Sequence, residues 1–83
     1  MFSKIYETYM ITFEKYLQEF GLKIHNYRKR MGISQEKLAE MADMEIPYLS
    51  NIETGKANIT LKTLYKIATA LDVDLYKFFM IDD

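Results

Sequence analysis

The chain has no cysteine, no tryptophan, one proline, three glycines and one histidine among its 83 residues. Each shortage excludes something. Without cysteine there is no disulfide, no thiolate nucleophile and no ordinary structural zinc site. The lone histidine, His25, has neither a thiol nor a glycine-rich phosphate loop to work with, and a general base needs a positioned partner. It reads as a surface or groove residue, and no enzyme is expected. The pairs Asp72/Asp74 and Asp82/Asp83 lack the ligand number and spacing of a calcium loop. They read as a turn and a solvated tail, so no metal or cofactor is expected. The apolar runs are too short to span a bilayer. The first residues, Met1 to Thr8, place acid and hydroxyl groups where a signal peptide needs an unbroken apolar core. A cytoplasmic protein without a membrane part is the expectation. A basic excess is missing too: 11 Lys and Arg against 12 Asp and Glu give a net charge of −1.

What is present suits one folded domain, with 49% hydrophobic and 28% charged residues in a length that allows a single small core. The periodicity is helical throughout, and no strand pattern, repeat or linker interrupts it. Residues 2 to 20 carry an aromatic-rich stripe, Phe2, Ile5, Tyr6, Tyr9, Phe13, Leu17 and Phe20, stepping by three or four. Glu7, Glu14, Lys15, Gln18 and Glu19 fall largely elsewhere on the wheel, which predicts an amphipathic helix. Gly21 predicts a kink or boundary after it. A helix over Leu22 to Met31 follows, with Ile24, Tyr27 and Met31 inward and Gly32 ending it.

Residues 34 to 56 organise the rest. Ser34 is an N-cap type of residue, and Leu38, Ala39 and Ala42 recur at the spacing of one buried helical face. The pattern breaks around Asp43 to Glu45 and resumes with Leu49 and Ile52. Gly55 stands where a left-handed cap is expected. Helix, tight turn, helix and glycine stop outline a helix-turn-helix, its second helix running from Glu45 or Ile46 to Thr54. After the loop Ala57-Asn58-Ile59, Thr60 caps a helix with Leu61, Leu64, Ile67, Ala68 and Leu71 inward. Asp74 then caps a last helix with Leu75, Phe78 and Phe79, and Ile81-Asp82-Asp83 reads as a frayed tail.

Three blocks, Ile-Ser-Gln-Glu-Lys-Leu-Ala-Glu (33–40), Tyr-Leu-Ser-Asn-Ile-Glu-Thr-Gly-Lys (48–56) and Leu-Tyr-Lys-Ile-Ala-Thr-Ala-Leu (64–71), resemble the phage-repressor family, also called Xre or Cro/lambda-repressor-like. The resemblance covers roughly residues 20 to 80. It implies an all-α, five-helix repressor-like domain over 21–80, with residues 1–20 as an extra N-terminal amphipathic helix. It also implies a structural ion pair between Arg28 and Glu53, whose positions match the family's arginine and glutamate. A planar guanidinium can grip a carboxylate bidentately, which agrees. Gln35 matches a glutamine that meets a DNA phosphate beside the start of the second helix, the alternative being a residue that supports the cap.

With Leu49 and Ile52 buried, the outer face of the recognition helix shows Ile46, Pro47, Ser50, Asn51 and Thr54. Asn51 is the best base reader, because its amide can bond adenine N6 and N7 together. Ser50 and Thr54 are weaker base or phosphate contacts. Ile46 and Pro47, where the family usually carries polar or basic side chains, can touch thymine methyls only. Lys56 and Asn58 suit backbone phosphate, and Tyr48 either packs or bonds one. The expected function is a sequence-specific transcriptional regulator acting as a homodimer on double-stranded DNA. The dimer surface would come from the last helix, the N-terminal helix, or both. The alternatives are a protein-interaction module on the same fold, or an antitoxin gripping its partner through the N-terminal helix.

Overall fold

The computed structural model describes the backbone of residues 2–80 and the side chains of residues 12–80. Four α-helices and a terminal 3₁₀ helix make up the described chain: α1 (Phe2–Met31), α2 (Gln35–Met41), α3 (Ile46–Glu53), α4 (Leu61–Leu71) and the 3₁₀ turn Leu75–Phe79. No strand occurs among the described residues. The expected tail at 81–83 lies outside them.

The element count differs from the expected one at both ends. The N-terminal helix and the first helix of the repressor-like unit are one continuous helix of 30 residues. At 1.5 Å per residue it is about 45 Å long, close to the longest dimension of the whole molecule, 46 Å. Gly21 does not break it. A mid-helix glycine costs roughly 0.5–1 kcal/mol relative to alanine. Here, however, a Cβ would collide with the backbone oxygen of Ile52 and lie 2.8 Å from that of Glu53. The glycine is a notch in α1 that lets the end of α3 come close. Gly55, at φ +75°, completes the crossing one turn away, where a Cβ would stand 2.7 Å from Gln18 Cγ and 2.8 Å from its Cα.

The last helix is 3₁₀ rather than α, and the Asp74 side chain makes no cap hydrogen bond. It still closes the core. Phe78 is fully buried and meets the Tyr27 ring edge-on at 5.4 Å, while Phe79 meets Phe20 in the same manner at 5.4 Å. Ile24, Leu38, Leu49 and Ile67 join Phe78 in the innermost layer, surrounded by Ala39, Ala42, Ile52, Leu64, Ala68 and Leu71. Two expected inward residues face out instead: Met31, on the last turn of α1, and Leu61, on the first turn of α4. Both stand at helix ends, where periodicity cannot tell whether a neighbour is present to cover the side chain. Phe79, beside Phe78 in the last helix, meets Phe20 on one side and remains 53% exposed.

Caps set the short helices. The Ser34 hydroxyl accepts from the Lys37 N–H at 3.0 Å, and the Thr60 hydroxyl accepts from the Thr63 N–H at 3.0 Å. Between α2 and α3 the chain turns on Asp43, at φ +53°, a conformation that a short polar side chain tolerates.

Candidate nucleic-acid interface

The geometry of α3 is set from beneath by one polar cluster. Glu53, in the last turn of α3, is buried, with a side chain only 2% exposed. Its Oε2 accepts from Arg28 Nε at 2.7 Å, and its Oε1 accepts from Arg28 Nη2 at 3.0 Å. Oε1 also accepts from Gln35 Nε2 at 3.1 Å and from His25 Nδ1 at 2.9 Å. Arg28 Nη1 donates to the carbonyl of Ile33 at 2.9 Å. One arginine thus straps α1 to the end of α3 and to the loop that precedes α2. Among the described residues no buried side-chain nitrogen or oxygen lacks a partner, so the cluster is fully satisfied.

His25, expected as a surface or groove residue, keeps a side chain 39% exposed and lies at the edge of this cluster. A carboxylate can only accept, so Nδ1 carries the hydrogen, and the 3.3 Å approach of Arg28 Nη2 to the same nitrogen is a contact between two donors. The signal for this was present in the spacing, since His25 and Arg28 are three apart on one helical face. It could be read only once Glu53 was known to lie opposite both.

Burial pushes the Glu53 carboxyl up. Hydrogen bonds from Arg28, His25 and Gln35, with the positive charge of Arg28, outweigh it and hold the group below the ordinary 4.5. A carboxyl lowered by folding contributes stability that is present above its unfolded value and is lost as pH falls through the folded one. Wild-type protein should therefore lose stability as pH falls below about 4.5. Glu53→Gln should be less stable at neutral pH and show a flatter acid limb in denaturant titrations. Parallel acid limbs for the two proteins would remove Glu53 as the cause.

The outer side of α3 carries the residues singled out in the sequence. Ile46, Pro47 and Asn51 are exposed and Ser50 is half-buried, whereas Leu49 and Ile52 lie in the core. Pro47 sits in the first turn, where its missing N–H costs no intrahelical bond. The Asn51 carboxamide has no hydrogen-bond partner among the described residues and stands free for a ligand. Thr54 is the C-cap residue, and its hydroxyl donates back to the Ser50 and Asn51 carbonyls at 3.0 and 3.2 Å. It is engaged locally. Tyr48 is half-buried, and its hydroxyl donates to the Asn58 carbonyl at 3.4 Å, tying the helix to the loop that follows. Lys56 and Asn58 are exposed on that loop. Gln35 is half-buried, with one of its two amide hydrogens given to Glu53. The other remains available at the start of α2. Arg30 is partly engaged as well, with its guanidinium 5.4 Å from the Tyr27 ring centroid.

Two short helices joined by a tight turn, the second held by an internal ion pair with a free amide on its outer face, define a helix-turn-helix DNA-binding transcriptional regulator. The chain belongs to the helix-turn-helix family, whose model matches residues 24–78. It is 39% identical over 61 residues to the control protein C.MunI of a Mycoplasma species, covering 72% of this chain and 82% of that protein. It is 39% identical over 57 residues to the regulator SinR of Bacillus subtilis, covering 68% of this chain and 51% of SinR. Its structure resembles that of the restriction-modification controller protein C.AhdI from Aeromonas hydrophila, with a TM-score of 0.74 and 35% identity over 76% of this chain and 96% of that one.

Proposed function

We propose that the chain regulates transcription as a cytoplasmic homodimer, laying α3 of each copy into the major groove of a paired operator site. The observation that carries this reading is the free Asn51 amide at the centre of a rigidly held outer face. Residues 21–80 serve as the DNA-binding unit. Two half-sites one helical turn apart require recognition helices about 34–36 Å apart. The likeness to C.MunI and C.AhdI favours a role in controlling a restriction–modification system.

The contacts divide by type. Asn51 reads a base edge, while Ile46 and Pro47 offer apolar contact to thymine methyls. Ser50 is a weaker polar contact, and Thr54 adds little because its hydroxyl is already given to the Ser50 and Asn51 carbonyls. Lys56 and Asn58 meet phosphate. Gln35 uses its second amide hydrogen on phosphate while Glu53 holds the first, and Tyr48 serves mainly to fix the loop. Phosphate contacts position and base contacts specify, so the two sets respond differently to substitution. Asn51→Ala should flatten the preference at one operator position by about 1–3 kcal/mol of discrimination. Lys56→Ala should weaken all sequences alike and make the salt slope shallower by about one unit. The check is selection from a random DNA library, followed by binding titrations at several salt concentrations. A library that enriches no site at low salt would favour the interaction-module reading, with Ile46 and Pro47 in an apolar docking face.

A further inference from the structure

The far side of α1 holds a cleft that the DNA-binding unit does not use. It opens between the last third of α1 and the 3₁₀ helix, with a volume of about 340 Å³. Lys23, Arg30 and Lys77 line it beside Asn26, Tyr27 and Tyr76, and among the described residues no acid does. Three of the chain's 11 basic residues thus meet at one place in a protein whose net charge is −1.

The cleft lies opposite the contact with α3. Gly21, His25 and Arg28 face α3 through Ile52 and Glu53. At about 100° per residue, Lys23, Asn26 and Arg30 are turned roughly half a circle from them. Both helices, their axes about 8–10 Å apart, separate the cleft from a duplex held on the outer face of α3. Its cations are therefore not a second row of contacts to the same groove.

The parts of the cleft are held from the core outward. The fully buried Phe78 meets the Tyr27 ring at 5.4 Å, and the Arg30 guanidinium stands 5.4 Å from the centroid of Tyr27. A guanidinium presents a planar fork that grips phosphate with two hydrogen bonds, and lysines add point charge. Tyr76, 61% exposed, supplies an aromatic ring on which a base can stack. The exposed Asn26 adds a carboxamide that both donates and accepts.

We propose that this cleft binds a nucleoside monophosphate, with the phosphate among Arg30, Lys77 and Lys23 and the base against Tyr76. A monophosphate carries a charge of about −1.5 to −2 at neutral pH, which the three cations balance. The volume falls at the lower end of the about 300–1,000 Å³ usual for small-molecule sites, which suits one nucleotide and not a longer strand. Neither α3 nor Asn51 takes part, so failure of this site leaves the operator reading standing.

The test follows amide shifts of the isotope-labelled full chain, without DNA, during titration with adenosine monophosphate, adenosine or inorganic phosphate. An ionic strength of about 0.15 M limits charge effects to a screening length of about 8 Å. Adenosine monophosphate should move the amides of residues 23–30 and 76–80, and bind at least about tenfold more tightly than adenosine or phosphate alone. Lys77→Glu and, separately, Arg30→Ala should each weaken it by at least about tenfold. Lys37→Glu, the same charge change on α2 away from the cleft, should alter it by less than about twofold. Tyr76→Ala should weaken the nucleotide by about fivefold or more and leave inorganic phosphate within about twofold. All four positions are exposed, and each variant should keep the circular dichroism of a folded domain. No shifts at millimolar nucleotide, phosphate binding as tightly as the nucleotide, a Tyr76→Ala protein of unchanged affinity, or equal losses for Lys37→Glu and Lys77→Glu would overturn the proposal.

Discussion

Arg28→Ala should lower stability by roughly 3–5 kcal/mol, the cost of leaving a buried carboxylate without its partner. Lys29→Ala, one residue along and exposed, should change it by less than about 0.5 kcal/mol. The contrast follows from geometry. Arg28 is 5% exposed and has three of its nitrogens bonded, two to Glu53 and one to the Ile33 carbonyl. Removing it frees the end of α3 and the start of α2 together, so thermal melting and operator affinity should fall in the same variant. For a domain of this size each kcal/mol moves Tm by about 4–8 °C, and the difference between the two variants is easily read by calorimetry. Equal small shifts would mean that solvent enters and replaces the guanidinium. Arg28→Lys should recover only part of the loss, because an ammonium cannot make the planar two-bond grip.

Gly21→Ala is the second large effect, and its sign runs against helix propensity. In an open helix the substitution would stabilise by roughly 0.5–1 kcal/mol. Here the added methyl meets the Ile52 and Glu53 backbone, which cannot swing aside as a flexible side chain could. Over-packing of this kind costs typically about 1–3 kcal/mol, and the displacement of α3 would loosen the Glu53 cluster as well. Lower stability, measured by denaturant titration, is the expected result. A more stable Gly21→Ala protein would show that α1 and α3 have room to separate.

The sequence was most legible where neighbours in the chain decide the outcome. Ser34 and Thr60 cap their helices through a hydrogen bond three residues away, and Gly32 and Gly55 take left-handed conformations at helix ends. Leu38, Leu49, Ile52, Leu64 and Ile67 fall in the core because a period of 3.6 leaves them one face. Legibility failed where a distant segment intervened. Gly21 reads locally as a break, yet it lies inside a helix because the apolar and polar cluster beyond it holds both sides in register with α3. The sequence places His25 on the surface or in a groove but gives no sign of its bond to Glu53, because nothing nearby in the chain announces a carboxylate 28 positions on.

The sequence by itself determined the helical class, the helix-turn-helix blocks and the outer face of the recognition helix, all of which follow from spacing and capping within a few residues. Only the tertiary structure decided that the first two helices are one, that the glycine between them is a contact point, and that one carboxylate gathers Arg28, His25 and Gln35. Those features depend on which helix comes to lie against which. The spacing of residues along one helix carries no record of the partner that packs across it.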